Sequence, residues 1–300
     1  MILVSGSNGW IGRALCKQLS ADARAHLPIE RGQIVSDDWA VPASGTVYCA
    51  IHLAAIAHVP LGPGSDHIYH QANCEHALAF ARQCLARAVP RFVFVSSSKV
   101  LGDSNEHAAN ESTRVSPADA YGRAKLAAEI ALLQMHRPGY FEVVILRPPL
   151  VYGPAVRANF LRLLQLADSP WPLPASRSAI RSMIYLDNLV DALIYSIERS
   201  ALGGQVWHVK DSIDWSIHHW IAEIRKNLGR PARTLDLPGD PSHVMRRALR
   251  LVPFLAGRIT QGLSSLRLDD AAIRASGWHP PVARPEALLE TLAWYRSTRS

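Results

Sequence analysis

Three glycines near the start of the chain constrain its fold more than any other feature of the sequence. Gly6, Gly9 and Gly12 follow the apolar run at residues 2–4 and stand directly before a helical pattern that ends near Leu19. Glycine tolerates backbone conformations that a Cβ atom forbids, so it suits the tight turn between a strand and a helix. The spacing therefore predicts a strand–turn–helix unit, the building block of a parallel sheet.

The rest of the chain changes character at its midpoint. In the first half, further strands are predicted at 25–29, 47–53, 91–95 and 141–146, and helices at 68–88 and 120–135. Continuous apolar strands between amphipathic helices indicate an α/β protein whose parallel sheet is covered on both faces. The second half is rich in proline, which favours loops and short elements. We predict a core in 1–155, to which part of 182–210 returns, and a smaller, discontinuous lobe mainly in 156–300.

The glycine turn also predicts a site for the pyrophosphate of a dinucleotide. Without side chains the backbone can approach the phosphates, and the helix N-terminus offers free N–H groups and a positive dipole end. An acidic residue about 20 positions later would bind the adenosine ribose. Glu30, 18 residues after Gly12 (30 − 12), fits this role and favours NAD, whereas Arg31 would pair with the 2′-phosphate of NADP. Ordinary surface charges are the alternative for both residues.

A second group of residues predicts acid–base chemistry. Tyr121 and Lys125 lie four positions apart in a predicted helix, so the phenol and the ammonium share one face. A nearby lysine favours the ionised phenol and is expected to lower the tyrosine pKa from its free value of about 10. A serine from the run at residues 96–98, which ends a predicted strand, would complete a site that moves a proton on a substrate alcohol or ketone.

The charge of the chain narrows the choice of partner. The formal net charge is +7 at pH 7, which points to an anionic ligand. Because the arginines are dispersed and no nucleic-acid-binding motif occurs, a phosphorylated small molecule fits better than nucleic acid. The histidines lack the spacing of metal ligands, so no metal site is predicted.

Location is predicted from cysteine usage and apolar runs. The four cysteines form no Cys-x-x-Cys pair, and buried free thiols suit a reducing cytoplasm. No apolar run approaches the length of a membrane span, and the opening strand leaves no room for a signal peptide. Segment 244–259 mixes arginines with leucines, which predicts either a helix packed on the core or one on an anionic membrane surface.

Taken together, the motifs resemble the extended short-chain dehydrogenase/reductase family, and within it the nucleotide-sugar epimerases, dehydratases and reductases. The resemblance spans nearly the whole chain in collinear order. After the glycine turn it includes His52-Leu-Ala-Ala55 behind the family's fourth strand, Asn73, the serine run, Tyr121 with Lys125, Leu146-Arg-Pro-Pro-Leu-Val-Tyr-Gly-Pro154, Tyr185-Leu-Asp-Asn-Leu-Val-Asp-Ala192, Gly277-Trp-His-Pro-Pro281 and Trp294-Tyr295.

The resemblance implies a Rossmann-type doubly wound sheet and a role for each matching residue. Tyr121 would be the acid/base, Lys125 would hold the nicotinamide ribose, and Ser97 would bind the substrate oxygen while hydride passes between the sugar and the nicotinamide. The implied dinucleotide contacts are Gly6, Asn8, Gly9, Trp10, Ile11, Gly12, Glu30, Arg31, Leu53, Ala54, Ala55, Asn73, Tyr121, Lys125, Pro148 and Val151. The segment after Arg147-Pro148 would position the nicotinamide. The implied substrate contacts are Ser97, Ser98, Asn159 and Arg181, and a homodimer would form through helices 68–88 and 120–135.

Two departures from the family pattern refine the expectation. The stretch between Leu19 and Val47 is short, so a strand–helix unit on the adenine side is expected to be missing. The family's 4,6-dehydratases carry Thr-Asp-Glu where this chain has Ser97-Ser98-Lys99, which argues against loss of water. The resulting prediction is a UDP-hexose or UDP-N-acetylhexosamine 4-epimerase. The alternatives are an NAD(P)H-dependent 4-ketoreductase of a UDP-4-keto-6-deoxy-hexosamine and a non-catalytic NAD(P)-binding regulator.

Overall fold

A central parallel sheet organises the protein. The computed structural model describes residues 1–41, 45–57, 64, 66–231, 233–236 and 265–299, so segment 244–259 lies outside the described residues. The sheet has six strands in the order β10-β5-β4-β3-β1-β2, and every neighbouring pair is parallel. Its strands are β1 Ile2–Ser5, β2 His26–Ile29, β3 Cys49–His52, β4 Arg91–Val95, β5 Glu142–Arg147 and β10 Gln205–His208.

Helices cover both faces of this sheet. They are α1 Trp10–Ala21, α2 Arg31–Ser36, α3 Asp66–His70, α4 His76–Ala86, α5 Ala120–Met135 and α7 Leu186–Glu198, and a π-helical turn, Gln71–Glu75, joins α3 to α4. Successive strand residues point to opposite faces. Val93 and Val95 therefore pack with α1 and α7, whereas Phe92 and Phe94 pack with α2, α4 and α5. This arrangement confirms the predicted doubly wound α/β fold.

The adenine side of the sheet is short, as the sequence suggested. Within the described residues β2 is the edge strand of the sheet. Along the chain, the six-residue α2 is the one described helix between β2 and the central strand β3. The segment His52-Leu-Ala-Ala55 consequently follows the third strand of this chain and not the fourth. That correction follows from the missing strand–helix unit.

Short elements build the second half. They are β6 Leu150–Tyr152, α6 Ala158–Ala167, β7 Leu173–Ala175, β8 Ile180–Arg181, β9 Met183–Tyr185, β11 Trp215–Ser216, α8 Ile217–Asn227, β12 Thr234–Asp236, α9 Ala271–Ala275 and α10 Arg284–Ser297. The strands outside the main sheet form two-stranded pairs, β6 with β9, β7 with β12 and β8 with β11. They enclose an apolar cluster of their own around Tyr152, Phe160 and Trp220. Among the described helices, none combines the length and the apolar character that a membrane crossing needs.

Candidate active site

The glycine turn between β1 and α1 lies against the chain that leaves β3. Gly6 has φ +76°, and a Cβ there would lie 2.6 Å from the backbone nitrogen of Ala54. A Cβ at Gly12 would lie 2.1 Å from the carbonyl oxygen of Gly6. Both distances are far below contact, so the two positions accept only glycine. This packing brings residues 53–55 beside the turn, as a site for a pyrophosphate requires.

The N-terminus of α1 is open toward this site. Gly9 is the N-cap residue and supplies no side-chain acceptor, so the first-turn N–H groups have no partner from the cap side chain. A helix N-terminus in this state binds phosphate well. Asn8 lies in the turn, where its carbonyl accepts a hydrogen bond from Arg13. The cradle therefore fits the pyrophosphate of NAD or NADP.

Trp10 connects the glycine turn to the second half of the chain. Its indole Nε1 donates to the carbonyl oxygen of Pro154 at 2.8 Å, and its ring packs on the apolar cluster of the second half, whereas Ile11 packs on the main core. Pro154 ends the segment that begins at Pro148 and contains Val151. The structure thus ties the predicted phosphate site to the predicted nicotinamide segment.

Asn73 shapes the loop after β3. It is fully buried in the π-helical turn, a local distortion that often marks functional sites. Its amide accepts from the backbone N–H of Ile56 at 2.7 Å and donates to the Ile56 carbonyl at 3.0 Å. The side chain therefore holds the backbone that follows Leu53, Ala54 and Ala55. In this structure Asn73 therefore acts on the predicted dinucleotide site through the backbone of this loop.

Glu30 and Arg31 directly follow β2, the strand beside β1. Both side chains are exposed, and Glu30 forms a capping box with Gln33 at the start of α2. Burial lowers the pKa of His52 at the end of β3, and the positive charge of Arg31 makes a small contribution in the same direction. A carboxylate and a guanidinium thus stand side by side at the adenine end, and the choice between NAD and NADP stays a prediction.

The serine run and α5 bring the predicted catalytic side chains together. Ser97 caps the 3₁₀ turn Ser98–Leu101 and hydrogen-bonds the phenol of Tyr121. Both side chains are partly accessible, whereas Ser98 is only 4% exposed. Ser97 is therefore the better placed of the two serines to meet a substrate. The backbone N–H of Ser98 donates to the Pro148 carbonyl at 2.9 Å, which holds the nicotinamide segment beside this turn.

Lys125 lies one helical turn beyond Tyr121 and is 1% exposed. Its Nζ donates to the Val95 carbonyl at 2.8 Å and lies 4.5 Å from the centre of the Phe94 ring. Burial lowers the Lys125 pKa to about 7, although the carboxylate of Glu129 opposes this shift.

The prediction that the Tyr121 pKa lies below its free value is wrong for this structure. Burial raises the pKa of Tyr121 to about 12, the Ser97 hydrogen bond partly offsets that rise, and the charge of Asp119 adds to it. The sequence could not reveal that desolvation dominates, because it depends on everything packed around the phenol.

The first turn of α5 is held by groups that sequence reasoning missed. Asp119 accepts the backbone N–H of Gly122 at 2.7 Å and forms an ion pair with Lys99 at 3.3 Å. A Cβ at Gly122 would lie 2.7 Å from the Lys99 carbonyl, so glycine allows the helix to approach the serine turn. An aspartate directly before a helical pattern is a recognisable N-cap signal and could have been found. These contacts fix Tyr121 relative to Ser97.

The two predicted substrate residues lie in the second half. Asn159 is exposed in the first turn of α6, and Arg181 is half-buried in β8, paired with Trp215 of β11 and bridged to Leu266. Burial lowers the pKa of Arg181, while the negative charge of Asp103, which follows the serine turn, opposes this shift. The charge of Asp103 thus acts on Arg181 from the loop that follows the serine turn. The contact of Asn159 and Arg181 with a substrate stays a prediction.

The residues described by the structure include no group of three or more His, Cys, Asp or Glu side chains arranged to hold a metal ion. The site built here consists of a phosphate cradle, a hydrogen-bonded serine–tyrosine pair and a buried lysine. Such a set can exchange a proton with a substrate hydroxyl while a dinucleotide is held alongside.

Comparison with known proteins gives matches along nearly the whole chain. The sequence model described as the NAD dependent epimerase/dehydratase family matches residues 2–209. A UDP-glucose 4-epimerase of Vibrio cholerae is 30% identical, over 97% of this chain and 94% of that relative. An N-acetyl-alpha-D-glucosaminyl-diphospho-ditrans,octacis-undecaprenol 4-epimerase of Escherichia coli O157:H7 is 23% identical, over 98% of this chain and 94% of that relative.

Solved structures share the fold. The UDP-glucose 4-epimerase of Thermotoga maritima with UDP-glucose has a TM-score of 0.75 at 18% identity and covers 100% of this chain and 99% of its own. The UDP-glucuronic acid 4-epimerase of Bacillus cereus in complex with NAD has a TM-score of 0.74 at 20% identity, with the same coverage.

Proposed function

The chain belongs to the NAD-dependent epimerase/dehydratase family, and from this premise we propose that it is a nucleotide-sugar 4-epimerase. The observation that carries the proposal is the hydrogen-bonded pair of Ser97 and Tyr121 with buried Lys125 one turn behind it. Inversion at C4 needs a group that removes the O4 proton and later returns it. No carboxylate stands at Ser98 or Lys99 to remove water, so reversible oxidation without dehydration fits this site best.

The side chains would divide the proton chemistry among them. Ser97 would donate to the substrate O4 and orient it, while Tyr121 takes the O4 proton and later gives it back. The Tyr121 pKa of about 12 means that the phenolate needs help to form near neutral pH. Lys125, when protonated, would supply that help through its positive charge. The residues of the glycine turn would hold NAD, which supplies reversible hydride acceptance when bound, and the 4-keto sugar would rotate so that its opposite face is reduced.

We propose that the substrate is a UDP-hexose or UDP-N-acetylhexosamine. Residues 1–155 would hold the dinucleotide and 156–300 mainly the substrate, with Asn159 and Arg181 on its diphosphate. A guanidinium binds phosphate oxygens through two parallel hydrogen bonds, which suits Arg181. The names of the V. cholerae and T. maritima relatives support this class. Glu30 makes NAD the preferred dinucleotide. Arg31 beside it could pair with a 2′-phosphate, so NADP is the alternative.

The decisive experiment supplies UDP-glucose and UDP-N-acetylglucosamine to the purified protein with NAD and follows the 4-epimers by chromatography. Interconversion without net consumption of dinucleotide is the expected result. Stoichiometric oxidation of NADH or NADPH with a UDP-4-keto-6-deoxy-hexosamine, and no epimer, would instead identify a ketoreductase. Dinucleotide binding without turnover of any of these sugars would favour the regulatory alternative and contradict the proposal.

A lipid-linked sugar is the second candidate substrate. The E. coli relative is named for an undecaprenyl-diphosphate-linked N-acetylglucosamine, which shares the sugar diphosphate but replaces the nucleoside with a polyprenyl chain. The same assay therefore includes an arm with a short-chain polyprenyl-diphospho-N-acetylglucosamine in detergent. Turnover of this compound, and none of the UDP-sugars, would assign the chain to that substrate.

The N-cap of α5 gives a first prediction. Asp119→Ala removes the acceptor of the Gly122 N–H, and loss of such a cap costs about 1 kcal/mol of unfolding free energy. Because Tyr121 lies in the same turn, kcat should also fall by about 10- to 100-fold, the effect of a small misplacement. Urea unfolding and steady-state kinetics measure the two effects.

The matched control is Ser216→Ala, which removes the N-cap of α8, where the Ser216 hydroxyl accepts the His219 N–H at 3.1 Å. This variant should lose similar stability and retain kcat. Equal kcat losses in the two variants would show that the Asp119 effect is only one of stability.

We also propose a homodimer, formed through the face of α3, α4 and α5. Two grooves lie on this face, one between α3 and α5 beside Arg123 and one between α4 and α5 beside Gln134. Ile130 is an apolar side chain of α5 that is 54% exposed. An exposed apolar residue beside grooves fits an interface with a second copy of the chain.

Substitution of Ile130 tests the homodimer. Ile130→Glu should convert the dimer to a monomer in sedimentation velocity at micromolar concentration, because a charge would be buried at the interface. Leu289→Glu is the matched control, since Leu289 is 53% exposed on α10, away from this face. A wild-type monomer, or a dimer that persists in Ile130→Glu, would contradict the assignment.

We also propose a cytoplasmic location, supported by four free cysteines, three of them buried.

A further inference from the structure

A buried ion pair, Glu129 with Arg147, lies one helical turn beyond Lys125. We infer that Glu129 and Arg147 are positioning residues that hold Lys125 in place and in its charged form. This inference rests on the proposed function for its meaning, because a charged lysine matters there for the chemistry of Tyr121. The pair was not predicted from the sequence, although the spacing of 121, 125 and 129 places three polar side chains on one helix face.

The geometry of the pair is that of a specific, two-point contact. Arg147 Nε donates to Glu129 Oε1 at 2.9 Å and Nη2 donates to Oε2 at 2.6 Å. Glu129 is 1% exposed and Arg147 is 4% exposed. Such bidentate pairs are strong and directional. Solvent therefore screens the Glu129 carboxylate little, and the charge of this carboxylate acts on the side chain one helical turn away.

Lys125 is that neighbour. Its hydrogen bond goes to a backbone carbonyl and its other close contact is the Phe94 ring, so neither partner carries a full charge. Burial of an ammonium among such neighbours favours loss of its proton. The Glu129 carboxylate opposes that loss, and its effect on the Lys125 pKa is in this direction. The two hydrogen bonds from Arg147 fix the Glu129 carboxylate in place.

Other charged and titratable groups face the same region from the neighbouring strands. Burial lowers the pKa of His52 of β3 to about 3, and the charge of Lys125 adds to this shift. His208 of β10 pairs in register with Arg147, and burial, together with the charge of Arg147, lowers the pKa of His208 to about 4. Both histidines are therefore neutral near pH 7. Among these described groups and Tyr121, Glu129 is the one that favours a charged Lys125.

The pair also joins two parts of the site mechanically. Arg147 ends β5 and directly precedes Pro148, whose carbonyl accepts the Ser98 N–H. Glu129 belongs to α5, which carries Tyr121 and Lys125. The contact therefore fixes the catalytic helix to the strand that enters the predicted nicotinamide segment. A buried pair with only a structural role could instead be replaced by apolar residues at little cost.

The test measures the titration of Lys125 in the full chain, by NMR of ¹³C-labelled lysine side chains, with Lys125→Arg used to assign the signal. Glu129→Gln should lower the Lys125 midpoint by at least about one pH unit, since an opposite charge this close shifts a pKa by 1–3 units. The double variant Glu129→Leu/Arg147→Met should also lower the Lys125 midpoint, by less because the Arg147 charge is lost too, and should stay folded because it leaves no unpaired buried charge.

Activity provides the second readout. In Glu129→Gln the pKa of Lys125 is expected to fall. The charged fraction of Lys125 then decreases as the pH rises through this lower midpoint. For a shift from about 7 to about 6, the loss of kcat/KM relative to wild type should therefore be about ninefold at pH 8 and about twofold at pH 6. A structural defect alone would give the same loss at both pH values.

Glu142→Gln is the matched control, because it breaks the Glu142–Arg91 ion pair at the opposite ends of β4 and β5 from the site. It should leave the Lys125 titration and the pH profile unchanged. An unchanged Lys125 midpoint in both Glu129 variants would overturn the inference, even if the protein proved to be an active epimerase. A shifted midpoint in a protein without epimerase activity would uphold the positioning of Lys125 and overturn the proposed function alone.

Discussion

Replacement of Tyr121 with phenylalanine should lower kcat for 4-epimerisation by about 10²- to 10⁴-fold, the contribution of a well-placed general acid–base group. The substitution removes the hydroxyl that hydrogen-bonds Ser97 and leaves the ring in its place on α5. Because the glycine turn is untouched and only one of the implied dinucleotide contacts is altered, NAD affinity should fall far less than kcat. Initial rates with UDP-glucose or UDP-N-acetylglucosamine, together with calorimetric titration of NAD, separate the two effects.

The matched control for this variant is Tyr140→Phe. Tyr140 is 59% exposed on the turn before β5, and loss of its hydroxyl should leave both kcat and NAD binding unchanged. A Tyr121→Phe protein that keeps more than about a tenth of wild-type kcat would remove Tyr121 from the proton transfer, because a catalytic acid–base group contributes far more than that. The enzyme proposal would then need another acid–base group.

Gly12→Ala should prevent dinucleotide binding. The new Cβ would lie 2.1 Å from the Gly6 carbonyl oxygen and 2.7 Å from the Ser7 Cα, both backbone atoms that cannot move without opening the turn. We expect NAD affinity to fall by at least about 100-fold, equivalent to about 2.7 kcal/mol. The free energy of unfolding should fall as well, since the same clash separates α1 from β1. Calorimetric titration and urea unfolding measure both quantities.

Gly32→Ala provides the matched control. Gly32 also lies in a helix, α2, and a Cβ there would meet nothing within 4 Å. Alanine at this position should leave NAD binding unchanged and raise the free energy of unfolding by about 0.4–1 kcal/mol, because it restricts the unfolded chain. Wild-type NAD affinity in Gly12→Ala would show that the glycine turn is not the phosphate site.

Much of the fold was predictable because its signals are local. The glycine turn, the apolar strands and the helical spacing of Tyr121 and Lys125 each occupy a few consecutive residues. The short stretch before Val47 likewise indicated the trimmed adenine side. The role of Ser97 followed from the family resemblance, and in the structure the Ser97 hydroxyl hydrogen-bonds the phenol of Tyr121.

Contacts between distant residues were not predictable in the same way. Trp10 reaches Pro154 across 144 positions, and Lys125 reaches Val95 across 30. Nothing in the sequence near either partner signals the other. The Glu129–Arg147 pair spans 18 positions and depends on how α5 lies on β5. In the sequence, Glu129 and Arg147 are each indistinguishable from ordinary surface charges. Their burial could not be predicted, because burial is a property of the assembled fold.

The sequence by itself determined the kind of chemistry available to this protein: a phosphate cradle without side chains, a phenol, a lysine and a serine. Only the tertiary structure decided how these groups are tuned. Lys125 turns to a backbone carbonyl, Tyr121 acquires a raised pKa, and the charge of Glu129 acts on the lysine through a medium that contains little water. The physical reason is that residue types and spacings are local, whereas desolvation and charge–charge interactions are set by every element that packs around the site.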